Sequence, residues 1–69
     1  MPAGGLPDDT EIIAGAYAER VRDLFRVFAE AVATGEPDRD AVVRFRRGLL
    51  GARRVRDLAL EIAKEVPAP

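Results

Sequence analysis

Arginines are the residues most able to do chemistry in this chain, because six of them fall within thirteen positions and no acid lies among them. The cluster comprises Arg44, Arg46, Arg47, Arg53, Arg54 and Arg56. Each guanidinium offers a planar fork of donors that suits a phosphate or a carboxylate. On a helix, the pairs 46/53 and 47/54 form two rows with Leu50 between them. The spacing predicts a candidate anion-binding patch on an outer surface, made of Arg46, Arg47, Arg53 and Arg54.

Three interpretations of this patch remain open on sequence grounds. The arginines can form a solvated flank of a helix bundle, a seam of salt bridges to acids such as Glu19, Asp23 and Glu30 of a second subunit, or a phosphate-binding surface for nucleic acid. The sequence favours them in that order. The chain has a net charge of −1, and no aromatic residue is placed between the rows to stack a base.

Catalytic residue types are nearly absent from this chain. It has no histidine, no cysteine and no serine, which removes the common proton-transfer groups and nucleophiles. Thr10 and Thr34 lie at expected helix ends, where capping explains them. We therefore expect no enzyme activity, no catalytic residues, no cofactor and no metal site. Arg44 and Arg56 point toward the apolar side of their helix, where each can extend its head to water or pair with an acid.

Two helices should position these side chains. The pattern of residues 8–34 predicts a first helix. Asp8 is its expected N-cap, and apolar residues recur along it at helical spacing. Gly35 suits a left-handed helix end, and Pro37 suits the first turn of a second helix over residues 37–66. Residues 1–7 are expected to be a flexible arm and 67–69 a tail. The second buried stripe is expected to comprise Val42, Phe45, Leu49, Ala52, Val55, Ala59, Ile62 and Val66.

The short connection predicts an all-α, antiparallel two-helix hairpin. Its apolar arcs are wider than one neighbouring helix can cover, so we expect homodimerisation into a four-helix bundle or docking on a larger protein. The expected interface comprises Tyr17, Val21, Leu24, Phe25, Phe28, Phe45, Leu49, Ala52, Val55 and Ile62. Gly48, Gly51 and Ala52 form a small-residue patch. Glycine inside a helix costs up to about 1 kcal/mol relative to alanine, so a close approach of helices is the usual reason for it, with sequence drift as the alternative.

Charge and composition complete the sequence-based expectations. Residues 1–40 carry nine acids and four arginines, whereas residues 41–69 carry seven bases and three acids. Opposite charges favour pairing between the two segments or with a second copy. We expect a cytoplasmic protein, since no apolar run could span a membrane and no signal peptide is evident. The many Ala and Arg residues with a single Lys are typical of a GC-rich bacterial genome.

Overall fold

The fold is a hairpin of two α-helices in a computed structural model that describes residues 8–67. Helix α1 spans Asp9–Ala33 and helix α2 spans Asp38–Glu65. The predicted all-α antiparallel hairpin is therefore confirmed. The expected arm over residues 1–7 and the last two tail residues lie outside the described part. Neither helix combines the length and the apolar content that crossing a membrane would require.

Helix α1 begins with a side-chain cap. One carboxylate oxygen of Asp8 accepts a hydrogen bond from the backbone N–H of Glu11 at 2.9 Å and another from the Thr10 hydroxyl at 2.7 Å. These donors, the Glu11 N–H first, hold the pKa of Asp8 below its usual value, because they favour the charged carboxylate. The cap fixes where the helix starts.

Helix α1 ends in a glycine-dependent turn, as the sequence predicts. Gly35 has a φ of +93°, a conformation that a side chain would strain. Its N–H donates to the carbonyl of Val32 at 3.2 Å, and the N–H of Glu36 donates to the carbonyl of Ala31 at 3.0 Å. This pair of bonds is a Schellman motif. It satisfies carbonyls at the end of α1 and reverses the chain.

Pro37 is the N-cap of α2, directly before its first helical residue, Asp38. Its carbonyl accepts from the N–H groups of Asp40 and Ala41, at 3.1 and 3.3 Å. A proline suits this place because its nitrogen has no hydrogen to satisfy. The helix therefore starts immediately after the turn.

The helices pack along their length in an antiparallel register. Phe28 stacks on Phe45 with ring centroids 4.8 Å apart, and the side chain of Leu24 covers Gly48. The molecule measures 50 × 25 × 11 Å. Its smallest dimension is about one helix diameter, roughly 10–12 Å. The hairpin is therefore a single layer of helices with two open sides.

A single layer leaves almost no core. Within residues 8–67 only Ala31 and Ala41 are buried, and no large side chain is fully buried. In the hairpin alone, Val55, Ile62 and Val66 of the expected α2 stripe are more than half exposed. Ala41, which the expected stripe omits, is instead the most buried residue. One neighbouring helix covers only a narrow arc, so residues slightly off the contact line stay in water.

Candidate functional site

The first candidate surface is the aromatic face, one of the two open sides of the hairpin. Two adjoining grooves that share Phe45 make up this face. Its apolar lining comprises Val21, Phe25, Phe28, Ala29, Val42, Phe45, Leu49 and Leu50. Arg22 and Arg26 line it from α1, and Arg46 and Arg53 line it from α2. No acidic residue lines either groove, so the surface is apolar at its centre and basic at its edges.

The second candidate surface is the small-residue face, on the opposite side of the helix contact. Its central groove has a volume of about 420 Å³. The groove lining includes Ala16, Tyr17, Arg20, Gly48, Gly51, Ala52 and Val55. Ile12 and Ile62 extend the face toward the free helix ends, and Val27 and Arg44 extend it toward the turn. Asp9 and Asp23 also lie along it, so both charge signs occur there.

The expected interface residues divide into two groups. The half-buried group comprises Tyr17, Val21, Leu24, Phe28, Phe45, Leu49 and Ala52. In contrast, Phe25, Val55 and Ile62 are exposed, with 58%, 67% and 57% of their surface in water. Phe25 lies on the aromatic face and Val55 on the small-residue face. The hairpin therefore leaves large apolar groups uncovered on both sides.

The four arginines of the expected patch are all exposed. Among the described residues, none of the four has a carboxylate oxygen within 4.0 Å. Arg46 and Arg53 border the aromatic face. Arg47 and Arg54 line neither the aromatic face nor the central groove of the small-residue face. They lie on the outer side of α2, where Leu50 separates them from the first row. The row of Arg46 and Arg53 therefore borders the aromatic face, and the row of Arg47 and Arg54 lies farther out.

Arg44 and Arg56 make specific contacts rather than simply extending into water. The Arg44 guanidinium lies 2.6 Å from a carboxylate oxygen of Glu36. That oxygen is shielded from solvent and has no aligned hydrogen bond, so the contact is mainly ionic. The Arg56 guanidinium lies 4.5 Å from the centre of the Tyr17 ring, and its Nε donates to Asp57 at 3.0 Å. This cation–π contact joins the two helices.

The glycines behave differently from one another. A Cβ at Gly48 would lie 2.5 Å from Cδ2 of Leu24, so the expected close approach of helices is confirmed there. A Cβ at Gly51 or Gly15 would meet nothing within 4 Å. The expectation for Gly51 is therefore wrong within the hairpin, because its side of α2 faces an open groove. Alanine would be more favourable at such open helical positions.

The expected site residues are spread over the two faces. Across residues 8–67 no three His, Cys, Asp or Glu side chains are grouped closely enough to hold a metal ion. The Tyr17–Arg56 contact and the burial of Ala41 were missed by sequence reasoning. A signal for the contact exists, because residues 17 and 56 are equidistant from the turn, as are 28 and 45.

No family model, curated protein or solved structure matches the chain.

Proposed function

We propose that this chain is a small, non-catalytic helical interaction module. It acts by covering its open faces with a second copy, as a homodimer, or with a larger protein. The expected cytoplasmic location belongs to the same proposal. Such a module needs no cofactor, because it acts by binding a second copy or another protein.

The observation that carries this proposal is the absence of a core among the described residues. Exposed large apolar side chains occur along both helices and on both faces. Apolar surface left in water forfeits about 25 cal/mol per Å², and exposed contiguous apolar patches mark interaction sites. A further layer of helices would cover these groups, as in a four-helix bundle.

Sedimentation equilibrium from micromolar to millimolar concentration, with co-purification from the native host, tests this proposal. We expect a dimer or a stable complex with another protein. Phe25→Asp and Val55→Asp each place a charge at an exposed position on one face, and at least one should weaken association. Val43→Asp is the matched control, because Val43 is exposed and lines neither face.

A cooperatively melting monomer at millimolar concentration, with no protein partner recovered, contradicts the proposal. Association that tolerates both face substitutions as well as it tolerates Val43→Asp also contradicts it. Circular dichroism of each variant separates lost binding from lost helix.

A second candidate function is nucleic-acid binding by a helical dimer. The observation that favours it is the exposed set of Arg46, Arg47, Arg53 and Arg54, which has no paired acid within the described residues. Fluorescence anisotropy with labelled duplex and single-stranded DNA tests it. Phosphate contacts require affinity to fall steeply with salt, and changing all four arginines to glutamine should abolish binding. Absence of salt-sensitive binding by the native chain contradicts this function, and binding that persists after the four substitutions contradicts the role of this patch.

A further inference from the structure

We infer that the aromatic face is a docking groove for an acidic amphipathic helix of another protein. This inference rests on the proposed interaction function and names the occupant of one face. It commits to a partner helix with apolar residues at i, i+3, i+4 and i+7 and with Glu or Asp along its flanks. Helix-in-groove binding uses that spacing of apolar anchors.

The floor of the groove fits an apolar helix stripe. Phe45 and Leu49 are half-buried at the floor, whereas Phe25 at the edge is 58% exposed. The α2 part of the lining runs from Val42 to Arg53, about 17 Å at 1.5 Å per residue. That length accommodates about three turns of a partner helix. A flat membrane surface would reach the edges of this groove before its floor.

The edges of the groove determine the charge of the partner. Arg46 and Arg53 line the α2 edge without an acid within 4.0 Å among residues 8–67. On the α1 edge, Arg22 pairs with Glu19 at 3.2 Å and Arg26 pairs with Asp23 at 3.0 Å. The α2 edge therefore carries the free positive charge. Carboxylates on the partner would complement this positive charge. Guanidinium groups bind carboxylates in a bidentate geometry.

The same charges disfavour a symmetric dimer through this face. In a two-fold contact the same patch meets itself, so Arg46 and Arg53 would meet either their own copies or an α1 edge whose arginines are already paired. Like charges brought together across an interface cost free energy. The small-residue face has Asp9 and Asp23 as well as arginines along it and does not carry this penalty. The two faces therefore differ in the partners they suit.

A pair of designed peptides tests the inference. Both are fluorescently labelled amphipathic helices with the same leucine stripe, and one has glutamates on its flanks where the other has lysines. We expect the intact chain to bind the glutamate peptide and not the lysine peptide. The double substitution Arg46→Glu and Arg53→Glu should weaken binding on the order of tenfold or more, since it reverses the edge charge.

The chain offers a matched control for this experiment. Arg47→Glu with Arg54→Glu makes the same change in net charge on the same helix, at two arginines that line neither groove of the aromatic face. We expect it to change the affinity for the glutamate peptide by less than about threefold, the size of a long-range screened effect. Circular dichroism checks that both double variants keep the helices.

Several results would overturn the inference. Equal weakening by the two double variants would mean that overall charge, not this groove, attracts the peptide. Equal binding of the lysine peptide would remove the charge argument. Binding to anionic phospholipid vesicles, but not to the glutamate peptide, would assign the face to a membrane. Stronger self-association after Arg46→Gln and Arg53→Gln would assign it to a second copy.

The proposed function can survive each of these results. A chain that still associates through Val55, or as a symmetric dimer, remains an interaction module with a different occupant. In contrast, a cooperatively melting monomer at millimolar concentration with no protein partner recovered removes the proposed function itself. The two proposals therefore fail in distinguishable ways.

Discussion

The turn end of the hairpin and its free ends are built differently. Next to the turn, Ala31 and Ala41 are the only buried residues of the described range, and Phe28 stacks on Phe45. At the other end, Ile12 and Ile62 remain 56% and 57% exposed. The turn holds the helices together where large rings can meet. Near the free ends none of residues 8–67 closes over the isoleucines.

This difference shows that the two ends of a helical hairpin are stabilised to different extents. A short connection makes nearby contacts inexpensive in chain entropy, because little loop has to be ordered. Alanines at the contact line also let the helices approach closely at the turn. Toward the free ends large apolar side chains stay exposed, so under the proposed association order there should change most.

The largest expected effect comes from removing a ring at the turn end. Phe45→Ala should lower the free energy of unfolding by about 2 kcal/mol, below the 3–5 typical of a fully buried Phe because Phe45 is half-buried. Urea unfolding followed by circular dichroism measures it. Phe25→Ala removes a ring that is 58% exposed, so its cost to the hairpin itself should stay below about 1 kcal/mol. Equal costs would mean that the stacked rings do not anchor this end.

A glycine comparison tests the middle of the hairpin. Gly15→Ala should raise the free energy of unfolding by up to about 1 kcal/mol, since alanine favours helix and no atom obstructs it. Gly48→Ala should gain less, because its Cβ would lie 2.5 Å from Leu24 Cδ2 and force that side chain to move. Thermal melts of the two variants at one concentration give the difference. The same gain at both positions would show that the close approach is not tight.

The ion pair beside the turn should have a smaller effect. Glu36→Gln removes the carboxylate that faces Arg44, and we expect a loss of about 0.5–1 kcal/mol, the upper range for partly exposed pairs. Glu61→Gln is the control, because its pair with Lys64 is 3.6 Å long and well exposed. Chemical unfolding in low and high salt should show a difference that shrinks with salt. A Glu61→Gln loss as large as that of Glu36→Gln would contradict this prediction.

The smallest effect should be the pH response of the α1 cap. The pKa of Asp8 is lowered from 3.8 in the folded chain, so the cap stabilises the first turn above that pH. This stabilisation should be lost as pH falls through the lowered value. Carbon chemical shifts of Thr10 and Glu11 in a pH titration would report the fraying.

Asp8→Asn provides the control for the cap, because asparagine also caps helices but does not titrate. In this variant the first turn of α1 should not fray as the pH falls through the range in which Asp8 titrates in the native chain. If the native chain and this variant fray at the same pH, the cap is not the titrating group.

Local structure was predictable because its causes lie within a few residues of each other. The Asp8 cap and the Gly35 turn follow from local hydrogen bonding and from backbone freedom. The periodic apolar residues predict two helices, and the short turn predicts that they are antiparallel. The exposed positions of Arg46 and Arg53 likewise follow from their distance around the helix from the contact line.

Side-chain partners across the hairpin were not predictable in the same way. They depend on the rotation of each helix about its axis, which a wide apolar arc leaves undetermined. A small rotation decides that Ala41 is buried, that Val55 is exposed and that Arg56 lies over Tyr17. Burial of a stripe also requires a neighbour on that side, and the hairpin supplies only one.

The sequence by itself determined two helices, their turn, their caps and the two rows of arginines. Each follows from local propensity, spacing or charge, which do not depend on distant residues. Only the tertiary structure decided which row borders which face, because that depends on how α2 is turned against α1. It placed Arg46 and Arg53 beside an apolar groove without acids, whereas Arg47 and Arg54 line neither groove of that face. The packing of α2 against α1, rather than the composition of either helix, decides which arginines border the groove.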